Sequence, residues 1–181
     1  NLRLMHKLSQ LLERKRGGGG EIQFSFAEET IEVDVENRMT GVSRREQNSA
    51  MRLIEQFMLE ANETVARHCV RHKLPALYRV HEQPDPVKLK KLQRVFWRFG
   101  VTTPMARLQE PSAFNEVFEQ IRELPNQEQL QVLLLRCMAL AVYRVHNLGH
   151  FGLAAEFYAH FTSPIRRYPD LCVHRALKHW L

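Results

Sequence analysis

Ser49-Ala-Met-Arg-Leu-Ile-Glu-Gln-Phe-Met-Leu-Glu-Ala-Asn-Glu-Thr-Val-Ala-Arg-His-Cys-Val-Arg-His72 is the stretch on which the fold turns. Met51, Ile54, Met58, Ala61, Val65 and Cys69 recur at helical spacing, which predicts a helix with one buried stripe. Just upstream the period drops to two. Ile22-Gln-Phe-Ser-Phe26 and Thr30-Ile-Glu-Val-Asp-Val35 alternate apolar with polar, as half-solvated strands do. Asn37-Arg-Met-Thr-Gly41 reads as turn or loop, with Val42 starting a short third strand. Further upstream, Leu2, Leu4, Met5, Leu8, Leu11 and Leu12 make residues 2–15 an amphipathic helix that ends in basic residues and Gly17–Gly20. Four glycines exceed what a cap needs, so the run is either a flexible natural loop or an engineered linker.

Downstream the helical period dominates. Pro75 closes the long helix, and Ala76–Val80 is a short extended segment. Pro86 suits a helix first turn, with Leu89, Leu92, Val95, Phe96 and Phe99 as the apolar face and Gly100 as the stop. Phe96, Trp97 and Phe99 read as packing rather than as a base-stacking platform. Ser112 is expected to cap a helix through Leu124, although Asn115 leaves its capping box incomplete. A longer helix is expected over 127–145. The aromatic-rich stretch 150–161 is ambiguous, and a last helix begins at Pro169 or Asp170, with Asp170 able to cap it. The expected class is α+β, mostly helical with a small antiparallel sheet near the N-terminus.

With 181 residues, 44% apolar and 25% charged, the chain suits one ordinary domain with a real core rather than a disordered segment. It contains no apolar run of about 18 residues, which excludes a membrane-spanning helix. It opens on Asn1 without a secretory layout or an initiator Met, so the expectation is a start inside a larger protein. Cys69, Cys137 and Cys172 form neither a disulfide framework nor a C-x-x-C motif, which favours buried thiols and a cytoplasmic location. The net charge of +6 is concentrated at the C-terminal end. Residues 136–181 carry six Lys/Arg against Glu156 and Asp170. A basic surface of this kind favours polyanions.

His160-Phe-Thr-Ser-Pro-Ile-Arg-Arg-Tyr-Pro-Asp-Leu-Cys-Val-His-Arg175 carries the chemistry. Between Pro164 and Pro169 it sets Arg166, Arg167 and Tyr168, preceded by the hydroxyls of Thr162 and Ser163. Guanidinium forks suit phosphate oxygens, and flanking prolines lower the entropy cost of holding such a loop. The bland alternative is a solvated arginine pair ahead of a helix. His150, His160, Asp170, Cys172 and His174 match no zinc spacing. Gly17–Gly20 lacks the Lys-Ser/Thr of a phosphate-binding loop.

Phe161–Leu171 followed by Val173-His-Arg-Ala resembles the signature of the ribonuclease II/ribonuclease R (RNB domain) exoribonuclease family, and most of all its bacterial ribonuclease R branch. Arg44–Asn62, Pro75–Glu82 and Gly149–Leu153 are also family-like, in order and spacing, so the resemblance covers essentially the whole chain. It implies that residues 1–181 are the C-terminal part of an RNB-type catalytic domain. The family activity is processive 3′→5′ hydrolysis of single-stranded RNA to nucleoside 5′-monophosphates. Arg166 falls on the catalytic arginine, which neutralises charge on the phosphate, and Arg167 on a clamp for a neighbouring one. Glu55 matches a glutamate at the terminal nucleotide, with Asn62 on the same helix face. Ser163 and Tyr168 join them as RNA-binding residues. Gln56 stands where the family has a second glutamate.

The resemblance also implies Mg2+, held by clustered aspartates that this chain lacks. Its three, Asp34, Asp85 and Asp170, are far apart in sequence. The expected metal-ligand set here is therefore none, and the isolated chain is expected to be inactive. Implied partners are single-stranded RNA, the remainder of the catalytic domain and an oligonucleotide-binding (OB-fold) domain, with no membrane. The alternatives are an inactive relative that only binds RNA, or a regulatory fragment that docks a protein.

Overall fold

The computed structural model describes residues 1–24, 28–45 and 48–181. Six α-helices and two small antiparallel sheets make up these residues. Helix α1 (Leu2–Gly18) lies along α2 (Ser49–Arg71), and the hairpin β1 (Glu28–Val33) with β2 (Met39–Arg45) links them. Strand β3 (Tyr78–Val80) leads to α3 (Pro86–Arg98), a 3-10 turn, α4 (Pro111–Ile121) and α5 (Gln127–Leu135). Strand β4 (Val142–Arg144) returns to pair with β3, with Tyr78 opposite Arg144 and Val80 opposite Val142. Helix α6 (Tyr168–Trp180) closes the chain. The class is α+β, as expected, with a second sheet that sequence reading did not supply.

The main core lies between α3, α4 and α5, where Leu89, Phe96, Met105, Leu108, Phe114, Ile121 and Leu134 are fully or almost fully buried. Truncating a buried Phe such as Phe96 or Phe114 to Ala costs roughly 3–5 kcal/mol. Trp97, one residue along, turns outward. A smaller core of Ala66, Tyr78, Val80 and Ala159 joins α2 to the β3–β4 ribbon.

Several expectations are corrected. The glycine run is no linker: Gly17 and Gly18 complete the last turn of α1, and Gly20 sits at φ +91° against α4. A side chain at Gly20 would meet the backbone nitrogen of Ser112 at 3.3 Å, so the close approach needs glycine. Of the strand expected at 22–26, residues 22–24 belong to neither sheet, and 25–26 lie outside the described residues. The third strand starts earlier than expected, at Met39, because Asp34 Oδ1 accepts from Glu36 N and Arg38 N and closes the turn there.

The helix expected over 127–145 ends at Leu135. The carbonyl of Cys137 is taken by Asp85 N at 3.1 Å, which draws the chain off the helical path toward β4. Ser112 lies inside the first turn of α4 rather than capping it. Asn115 has another task. Its Nδ2 donates to Glu21 O at 2.9 Å, tying α4 to the segment after α1.

Helix α2 buries Cys69 as its apolar spacing predicts, but its most buried stripe is otherwise rotated from the expected one. Gln56, Asn62, Ala66 and Cys69 face inward, and Ile54 is 55% exposed. Arg16 supplies part of the reason. It is buried at the end of α1 between Glu60 and Glu63, and this double ion pair rotates those α2 positions toward α1.

Candidate functional site

Asn62, in the middle of α2, is 2% exposed. A buried amide needs partners on both ends. Its Nδ2 donates to Tyr158 Oη at 3.1 Å, and its Oδ1 accepts from Phe161 N at 3.0 Å. The helix thus holds the entry of the 161–170 loop in place. Phe161 is held again from the other side, because the His174 ring stacks on it at 4.2 Å and 12° while its Nε2 lies 2.9 Å from Phe161 O.

The loop then makes a tight turn over Ser163–Arg167. Ser163 O accepts from Arg166 N at 3.3 Å and from Arg167 N at 3.1 Å. Asp170 was expected to cap α6, but its carboxylate reaches back into the loop. Its Oδ1 accepts from Ser163 N at 2.8 Å and from the Arg167 guanidinium at 2.7 Å. The residue is 0% exposed. Pro169 occupies the first turn of α6, where no N–H is needed, and Arg167 takes the cap position without a side-chain cap bond.

Arg166 differs from its neighbour. Its side chain is exposed, and among the described residues no hydrogen bond or ion pair holds its guanidinium. Ile165 and Tyr168 project beside it into solvent. The backbone of the turn and the Arg167 guanidinium are tied down, whereas the guanidinium of Arg166 reaches outward.

Behind the loop stands a run of imidazoles and phenols. His81 packs edge-on against His150 at 5.0 Å, His150 against Tyr158 at 5.2 Å, and Tyr158 against His160 at 5.7 Å. Tyr143 Oη shares a 2.7 Å hydrogen bond with His160 Nδ1, and Arg79 lies over the Tyr143 ring. Burial pushes the His150 pKa down to about 4, with His81 adding to the effect. His160 also falls to about 4, first through burial and then through the positive charge of Arg167. Both rings are therefore neutral at pH 7. At the lower end of the run, Gly152 N donates to His81 Nδ1 at 3.0 Å, and a side chain at Gly152 would meet that nitrogen at 2.9 Å.

Glu55 lies on the exposed ridge of α2 between two cavities. One, of about 610 Å3, is an apolar groove in which Met51, Ile54 and Met58 face Asn62, Tyr158 and Arg167. The other, of about 680 Å3, is polar and runs past Glu21, Phe24, Gln56 and Gln131. Burial raises the Glu21 carboxyl above its ordinary value there. The structure therefore brings Glu55, Asn62 and Arg167 to one groove and sets Ser163, Arg166 and Tyr168 on the adjoining turn.

Sequence reading missed Tyr158, His174 and the loop-holding role of Asp170. The only signal for Asp170 was its position in the first turn of a helix, which also fits a cap.

Among the described residues no three His, Cys, Asp or Glu side chains gather to hold a metal ion. Asp34 closes the hairpin turn, Asp85 caps α3 and Asp170 ties the loop. These residues do not fit a divalent metal site.

The RNB domain model matches residues 1–181. The chain is 45% identical over 177 residues to ribonuclease R of Aquifex aeolicus, covering 98% of this chain and 25% of that protein. It is 39% identical over 181 residues to ribonuclease R of Escherichia coli, covering 100% of this chain and 22% of that one. Mycoplasma genitalium RNase R, solved in complex with ribose methylated single-stranded RNA, superposes with a TM-score of 0.92 at 35% identity. That match covers 99% of this chain and 28% of the other. The chain thus spans about a quarter of the length of the curated relatives it matches.

Proposed function

The chain belongs to the RNB domain family, and on that premise we propose that it forms the phosphate-gripping part of a 3′→5′ hydrolytic exoribonuclease acting on single-stranded RNA. The observation that carries this reading is the turn at 163–167, whose backbone and Arg167 side chain are held internally while the guanidinium of Arg166 has no partner among the described residues. An arginine aimed outward from a rigid turn suits charge that grows on a phosphate in the transition state, because nothing need reorganise when the charge appears.

In this reading Arg166 donates to the non-bridging oxygens of the scissile or adjacent phosphate. Arg167, its plane held by Asp170, faces the next phosphate along the groove. Ser163 and the ring of Tyr168 line the path of the strand, and Glu55 meets the terminal nucleotide. Asn62 acts by holding the loop, since both ends of its amide are already engaged. The catalytic divalent ions, Mg2+ in the family resemblance, have their ligands outside this chain. The activity therefore belongs to a longer, cytoplasmic protein in which the rest of the catalytic domain and an OB-fold domain complete the RNA channel.

The test is Arg166→Ala in the full-length nuclease. Single-turnover cleavage at saturating RNA should slow on the order of a hundredfold while RNA affinity changes little. Arg166→Lys should recover little, since a point charge lacks the two-pronged contact. Cleavage at the normal rate by saturated Arg166→Ala enzyme would remove Arg166 from the mechanism.

A further inference from the structure

We propose that Asp170 positions Arg166 for catalysis without touching RNA, an inference that rests on the phosphate-stabilising role given to Arg166 above. One carboxylate oxygen holds both ends of the turn. Asp170 Oδ1 accepts from Ser163 N, where the turn begins, and from the guanidinium of Arg167, where it ends. Ser163 O in turn takes the backbone N–H groups of Arg166 and Arg167. Arg166 lies between these two anchors, directly before the second, and its own side chain has no hydrogen-bond or ion-pair restraint among the described residues. Its aim is therefore set by the backbone, and the backbone is set by Asp170.

The site of the carboxylate fits this task. It is completely buried in the first turn of α6, next to the N-terminal helix dipole, where a negative charge is favoured. A neutral amide in its place could still accept one donor but would leave Arg167 without its counter-charge. Loss of that charge frees Arg167 to swing and carries the Arg166 backbone with it.

The experiment is a double-mutant cycle in the full-length nuclease, with single-turnover rates at saturating RNA and dissociation constants measured separately. Asp170→Asn preserves volume, and its folding is checked by circular dichroism and by a melting temperature well above that of the assay. Asp170→Asn is expected to slow cleavage at saturating RNA at least about tenfold, with RNA affinity weakened no more than by Arg167→Ala, and Asp170→Ala to slow it nearly as much as Arg166→Ala. In the Arg166→Ala/Asp170→Ala double variant the losses should not multiply, because both remove the same interaction. A normal rate for folded Asp170→Asn, or losses that multiply in the double variant, would overturn the positioning role while leaving Arg166 in place. A normal rate for Arg166→Ala would instead overturn the reading on which it rests.

Discussion

Asn62 Oδ1 accepts a hydrogen bond from the backbone N–H of Phe161 at 3.0 Å, across 99 positions of sequence. Asn62, which the family resemblance places among the RNA-binding residues, braces the long helix against the arginine turn. Asn62→Ala would strand a buried N–H and remove the partner of the Tyr158 hydroxyl, so it should cost about 2 kcal/mol or more in stability. Chemical denaturation checks this. Unchanged stability with weakened RNA binding would return Asn62 to direct contact with RNA.

The buried imidazoles make acid stability a second expectation. His150 and His160 titrate near pH 4 in the folded chain and near 6.5 in the unfolded one. As pH falls below about 6.5 the unfolded chain takes up protons first, so stability declines until about pH 4 and is complete only above that window. Glu21, raised by burial, works the other way in the lower part of it. Melting temperatures between pH 7.5 and 4 should fall, and His160→Gln should flatten the fall. A flat profile for the unaltered chain would contradict the burial of these rings.

The isolated chain should bind single-stranded RNA weakly through residues 136–181, with affinity falling as salt rises by a slope of roughly 0.7 per phosphate contact. Arg167→Ala, which removes the ground-state phosphate clamp, should lower that slope by about one such contact, whereas Arg166→Ala should leave it nearly unchanged. Titrations of fluorescent oligonucleotide at several salt concentrations read it directly, and salt-independent binding would assign the basic end to another role.

No nuclease activity is expected of the isolated chain in Mg2+, because its three aspartates are each committed to local structure. Labelled RNA should stay intact. A metal-dependent ladder of mononucleotides that disappears with Arg166→Ala would refute this.

What was legible in the sequence was local. Helix α2, the Pro86 start of α3 and the strand at Thr30 follow from period and caps within a few residues. The arginine pair was visible because two guanidiniums between two prolines are chemically conspicuous. Pairings across long separations were not legible: β3 meets β4 over more than sixty positions, and that pairing is why the helix expected to reach residue 145 stops at Leu135. The face of α2 was misjudged for a similar reason. Its burial is set in part by Arg16 from another helix and not by its own apolar spacing alone. Asp170 has the local signature of a cap, and only the folded loop shows its carboxylate turned the other way.

The link between Asn62 and Phe161 also sets an order of events while the protein is being made. At about 5–20 residues per second, roughly 5–20 s pass between the emergence of the helix and that of its partner. Asp170, which closes the turn, follows later still. A copy whose synthesis stops in that interval has its long helix but no arginine turn. The turn is closed only when the last helix has been delivered.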